Sequence, residues 1–139
     1  MMTKKCPLCD EITNTRSEMR IKELVVSTAF LSQNQAYRGY SVVVYNSHET
    51  ALENLPEKNQ IQFYRDMLKI SSAIVKAFKP DKMNYELLGN WVPHLHWHVV
   101  PRYKTDPCWG NPIWTRPDVS LKLDGEGNRR IIEAIRKHL

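Results

Sequence analysis

The chain has 139 residues, enough for one domain and too few for two ordinary ones. Hydrophobic residues make up 42% and charged residues 25%, a globular balance that excludes a disordered chain, a collagen and a disulfide scaffold. The 20 Lys and Arg outnumber the 15 Asp and Glu by 5, which favours anionic partners such as small phosphates or nucleic acid. The basic residues are dispersed, however, with no run beyond Lys4-Lys5 or Arg129-Arg130, so charge alone is most simply a solvated surface. No stretch approaches the ~20 apolar residues of a membrane span. Met1 to Asp10 is polar and lacks the apolar run of a signal peptide. The expectation is one cytosolic domain over residues 1–139.

Cys6-Pro7-Leu8-Cys9 near the start is a C-x-x-C turn, a spacing that brings two thiolates to one zinc ion. A thioredoxin-type redox motif would need a strand before it, and only five residues precede Cys6. Cys108 makes the cysteine count odd and argues against a disulfide framework in the cytosol. Leu24 to Leu31 (LVVSTAFL) is rich in β-branched and aromatic residues and predicts a strand. Tyr40 to Tyr45 (YSVVVY) predicts a second, with Gly39 as the turn residue before it.

Glu57 to Phe78 follows Pro56 and carries Ile61, Tyr64, Met67, Leu68, Ile74, Val75 and Phe78 at helical spacing, which predicts a long helix burying that stripe. Lys79-Pro80 ends it. Met83 to Leu88 and Leu95 to Tyr103 read as central strands joined tightly at Gly89-Asn90. Lys104 to Val119 holds three prolines and reads as a loop. Asn128 is placed to cap a last helix whose Ile131, Ile132, Ile135 and Leu139 share a face. Strands in pairs around a helix predict an antiparallel α+β sheet.

Three of the five histidines, His94, His96 and His98, alternate with Leu95 and Trp97. Alternate strand residues share a face, so the imidazoles point one way and Leu95, Trp97 and Val99 the other. A row of imidazoles on a sheet face is costly unless each has a partner. One ion cannot take all three: His94 and His98 are about 13 Å apart along a strand, against zinc–nitrogen bonds of ~2.0–2.1 Å. The row must divide its labour, one end available to a metal and the middle to chemistry. Structural zinc wants four ligands, and beyond Cys6 and Cys9 the imidazoles available outside the C-terminus are His48 and His94.

His94-Leu95-His96-Trp97-His98-Val99-Val100 resembles the motif of the histidine-triad (HIT) family, His-φ-His-φ-His-φ-φ with φ apolar, at all seven positions. The resemblance runs from the C-x-x-C turn through Gly39, His48 and Arg102, and is weakest after Lys104. It implies a five-stranded antiparallel sheet with two main helices, pairing into a homodimer with a continuous sheet. It also implies a purine nucleotide substrate, attacked at the α-phosphate by the middle histidine, here His96. Zinc-containing members use residues matching Cys6, Cys9, His48 and His94, which implies a structural zinc. His98 is then a donor to a non-bridging phosphate oxygen, and Asn84 and Asn90 are candidate further donors; turn formation and strand-edge polarity explain the two amides equally well.

The chain departs from the family at three places. Leu88 to Pro93 stands where many relatives have a Gly-rich stretch with Gln or Ser. Ser32 stands where an Asp or Asn commonly holds the ribose, and Tyr40 where a histidine often follows the turn glycine. The implied reaction is hydrolysis of a dinucleoside polyphosphate or an adenosine phosphoramidate through a nucleotidyl-histidine. Nucleotidyl transfer or phosphorolysis shares the first half-reaction. A different class, a basic nucleic-acid-binding module, would use Trp91, Trp97, Trp109 and Trp114 as stacking platforms. The dispersed charge and the single C-x-x-C weigh against it. A third is a catalytically feeble nucleotide sensor acting through protein partners.

Overall fold

In the computed structural model residues 5–139 are described; the first four, which open the polar segment Met1–Asp10 and include Lys4, lie outside the described residues. A short helix, α1 (Pro7–Thr13), leads into five strands: β1 (Arg20–Glu23), β2 (Ser27–Leu31), β3 (Ser41–Tyr45), β4 (Lys82–Glu86) and β5 (His96–Arg102). The long helix α2 (Glu57–Phe78) lies between β3 and β4, and α3 (Gly125–Arg136) closes the chain. The strands form one antiparallel sheet in the order β1-β2-β3-β5-β4. This is the five-stranded α+β architecture the sequence implies.

Several elements differ from expectation for physical reasons. Strand β1 escapes the sequence pattern because Arg20, Lys22 and Glu23 are polar and only Ile21 is buried. Leu24 to Val26 then turns into β2 rather than extending it. Strand β4 pairs only with β5, so it is an edge and not a central strand, and residues 87–95 form a long connection rather than a tight turn. The last helix starts earlier than Asn128: the Asp124 carboxylate accepts from the Gly127 N–H at 2.7 Å and caps it. That cap and the burial of Ile131, Ile132 and Ile135 offset two glycines in the first turn, each costing about 1 kcal/mol in a helix.

Helix α2 has the predicted ends, with Lys79 in the left-handed conformation (φ 50°) that terminates helices before Pro80. Its buried face, however, is Phe63, Met67, Ile70, Ala73 and Ile74, while Ile61, Tyr64 and Val75 are exposed. The buried set packs with Ala29, Val43, Val99 and the α3 isoleucines into the main core on one side of the sheet. Each such side chain removed from water stabilises the fold by roughly 1.5–3 kcal/mol. On the opposite side lies a second, smaller core of Tyr37, Tyr40, Val100, Cys108 and Ile113. Part of it comes from residues 104–119, an irregular segment with one 3-10 turn at Ile113–Thr115, which straps across the histidine face.

Candidate active site and metal centre

The register of β3 and β5 sets Val42 opposite His98 and Val44 opposite His96, so both imidazoles stand on the sheet face away from α2. Leu95 and Val99 join the main core, and Trp97 packs against Phe63 with ring centres 5.9 Å apart. That position removes Trp97 from any set of solvent-facing stacking platforms. His94 does not belong to the row as a strand residue: β5 starts at His96, and the His94 ring turns back towards the N-terminal helix. The row divides as its length requires.

At the near end, Cys6 caps α1 and Cys9 follows one helical turn later, which puts both sulfurs on one side. His48 lies just past β3. The thiols meet the imidazoles at 3.5 Å (Cys6 Sγ to His94 Nδ1), 3.5 Å (Cys9 Sγ to His94 Nδ1) and 3.3 Å (Cys9 Sγ to His48 Nδ1). All four ligand atoms lie within 4.8 Å of one another. Tetrahedral zinc with its usual bond lengths spaces sulfur and nitrogen about 3.5 Å apart, so the four residues fit such an ion with little adjustment. Tyr45 O supports this from behind: it lies 2.7 Å from His94 Nε2 and can only accept, so Nε2 carries the hydrogen and Nδ1 presents its lone pair to the thiols. Burial lowers the pKa of His94 and raises that of the Cys9 thiol, with Cys6 adding to the latter; a bound cation would relieve the second effect.

His94 also serves the next ring. Its backbone O accepts from His96 Nδ1 at 2.5 Å, so the buried His96 is held as the tautomer whose Nε2 is a free lone pair. The His98 ring sits 4.8 Å from that of His96 at 71°, with its Nδ1 2.6 Å from the Tyr40 hydroxyl. Burial first, and His96 second, lower the His98 pKa to about 4, so it is neutral at pH 7. A recess of about 560 Å³ opens over the two rings, lined also by Leu88, Asn90, Trp91, Val92 and Trp114. Trp114 meets His98 edge-on at 5.0 Å, and its indole N–H donates to the Glu86 carboxylate.

Trp114 is brought there by Arg102, at the far end of β5. The guanidinium is 2% exposed and donates to Asp106 at 2.9 and 3.0 Å, to Asn84 Oδ1 at 2.7 Å, and to the carbonyls of Cys108 and Asn111 at 2.7 and 2.8 Å. Burial, the largest single effect, would raise the Asp106 pKa, but the Arg102 hydrogen bonds and charge together with the backbone N–H groups of Cys108 and Tyr103 outweigh it and hold the carboxyl below its ordinary value. This knot fastens the strap that carries Trp114.

The structure thus gathers Cys6, Cys9, His48 and His94 in one cluster, and His96, His98 and Asn90 around one recess. Asn84 and Ser32 are placed elsewhere. Asn84 is on the histidine face but its Oδ1 is engaged by Arg102 in a neighbouring recess. The Ser32 hydroxyl accepts from the Asn34 N–H at 3.2 Å and lies beside Tyr40. Tyr40 enters the sequence reading only as a departure from the family pattern and Trp114 only as a stacking platform of the alternative module, and neither is given a role beside His98 there. The parity of Tyr40 with Val42 on β3 would have marked the first, given the strand register; nothing local marks the second.

Among similar proteins, an adenylylsulfatase of Arabidopsis thaliana is 28% identical over 96% of this chain and 69% of its own length. A histidine triad protein of known structure from Sinorhizobium meliloti superposes with a TM-score of 0.80 at 23% identity, covering 87% of this chain and 89% of that one. A Zn-bound histidine triad family protein from Mycobacterium smegmatis superposes at 0.72 and 20% identity, covering 96% and 91%. The HIT domain family model spans residues 16–105, from the approach to β1 to just past β5 and including His48 and all three triad histidines; with that match and this sheet, the chain belongs to the HIT domain family.

Proposed function

We propose that the protein is a nucleotide hydrolase that cleaves at an α-phosphate through a covalent intermediate on His96. The observation that carries this reading is the His96 Nδ1–H held on the His94 carbonyl, which leaves Nε2 as the free nitrogen of a ring lining the recess. A neutral imidazole with its proton tied behind it is a nucleophile that needs no separate base. Nε2 attacks phosphorus, the bond to the leaving group breaks, and its electron pair departs with that group. Water then attacks the same phosphorus, releasing a nucleoside monophosphate and restoring neutral His96. His98 and the Asn90 amide are the donors for the non-bridging oxygens, where charge concentrates. The adenylylsulfatase name of the Arabidopsis relative supports an adenylyl group as the part transferred; adenosine phosphoramidates and dinucleoside polyphosphates are the candidate substrates.

Cys6, Cys9, His48 and His94 would hold a structural zinc, whose role is to fix the N-terminal helix and the His94 backbone. Three unpaired thiols suit a reducing, cytosolic compartment; no helix among the described residues is long and apolar enough to cross a membrane. A homodimer is supported by the open edge of β4 and by Ile61, Tyr64, Val75 and Tyr85, which expose apolar surface beside it.

Mass spectrometry after brief mixing with an adenylated substrate tests the reaction. One adenylyl mass added to the peptide containing His96, absent in His96→Ala along with turnover, is the expected result. Unchanged turnover in His96→Ala would refute the nucleophile. Offering phosphate or a sugar phosphate as acceptor separates hydrolysis from transfer or phosphorolysis.

A further inference from the structure

We propose that Tyr40 is a positioning residue that fixes the tautomer and orientation of His98, leaving the His98 Nε2–H as the donor offered to the phosphoryl group. The proposal deepens the reading of the site given above and rests on it for the direction of the chemistry. Two observations carry it. First, the Tyr40 hydroxyl lies 2.6 Å from His98 Nδ1 and Tyr40 is only 4% exposed, so the hydroxyl has little access to water as an alternative partner. Second, Tyr40 is rigidly placed. It belongs to the second core, and it follows Gly39, whose φ of 95° and 2.8 Å approach to Phe78 by a would-be Cβ exclude any other residue.

A buried phenol hydrogen needs an acceptor, and His98 Nδ1 lies 2.6 Å from the Tyr40 oxygen, so Tyr40 donates to it. Neutral imidazole carries one hydrogen, so accepting at Nδ1 requires it to sit on Nε2. The other tautomer would turn a bare lone pair on the phosphoryl oxygens and oppose the charge that builds there. Burial keeps the Tyr40 hydroxyl far above its ordinary pKa, with Glu86 adding to the effect, so the donor stays protonated. Tyr40 thus does for His98 what the His94 carbonyl does for His96: two neighbouring rings are held in opposite senses, one as nucleophile and one as donor.

The test combines long-range proton–nitrogen spectra of the histidine-labelled protein with kinetics of Tyr40→Phe, which keeps the ring and removes only the hydroxyl. The wild-type spectrum is expected to show His98 in a single form with its hydrogen on Nε2. Tyr40→Phe should show both forms, a kcat lower by about tenfold, as for loss of one strong hydrogen bond, and a KM within twofold. Wild-type His98 with its hydrogen on Nδ1 overturns the proposal without any variant, as does Tyr40→Phe with wild-type spectrum and kcat. A wild-type chain inactive on every adenylated substrate refutes the functional reading instead, and the spectrum alone then decides the tautomer.

Discussion

Replacing Asp106 with alanine isolates the knot under the histidine face. The carboxylate accepts from Arg102 at 2.9 and 3.0 Å and from the backbone N–H groups of Cys108 and Tyr103 at 3.1 and 3.3 Å. Both charged side chains are almost wholly shielded, at 2% and 4% exposure. Alanine therefore leaves a guanidinium buried without its counter-charge, a change that costs about 3–5 kcal/mol, against 0–1 kcal/mol for a surface pair. For a chain of this size the melting temperature should fall by roughly 10–20 °C. Urea unfolding is the cleaner assay, because a lower midpoint at unchanged m reports stability rather than a different unfolded state. Asp106→Asn, which keeps the shape and one acceptor, should fall between alanine and wild type. The KM for an adenylated substrate should rise as well, because the strap that holds Trp114 beside His98 is fastened here. A loss below about 1 kcal/mol would refute the reasoning, since it would mean that water reaches Arg102 as it reaches a surface charge.

Cys6→Ser should lower the zinc content of the purified protein and its melting temperature together; unchanged metal analysis would remove Cys6 from the cluster. The pH dependence of stability has a definite sign. The His98 pKa falls from 6.5 unfolded to about 4 folded, so the unfolded chain binds the proton more readily between those values. Stability from this group is complete above pH 6.5 and is lost as the pH falls towards 4; urea midpoints that stay flat across that window in wild type, or that drop equally in His98→Gln, would contradict it. Tyr64→Glu, a charge in the middle of the exposed apolar stripe of α2, should convert a dimer to monomer in sedimentation, with little effect on the melting temperature of the separated chain.

How much of this was legible beforehand depends on how local each signal is. The ends of α2 were, because Pro56 and Lys79-Pro80 act on the backbone within a turn. Which side of α2 faces the sheet was not. The helix carries two apolar stripes, one with Phe63 and Ile70, the other with Ile61, Tyr64 and Val75, and spacing alone does not rank them. The common face of His96 and His98 follows from strand alternation, and the departure of His94 from that face follows from the reach of one metal ion. The cluster of Cys6, Cys9, His48 and His94 came through family resemblance and is matched by distances no spacing rule contains. Arg102, Tyr40 and Trp114 depend on contacts between segments remote in the chain, and only the folded geometry reveals what each one does. Asn84 shows the converse: an amide near the right strand end, already committed to a guanidinium.

His94 meets the thiol cluster with its ring and His96 with its backbone. One residue thus stands at the junction of scaffold and reagent. If the cluster holds an ion and His96 attacks phosphorus, as proposed, damage to the sulfurs would disturb the aim of that nitrogen well before the sheet came apart. On that reading, turnover should be a more sensitive gauge of metal loss than an unfolding curve.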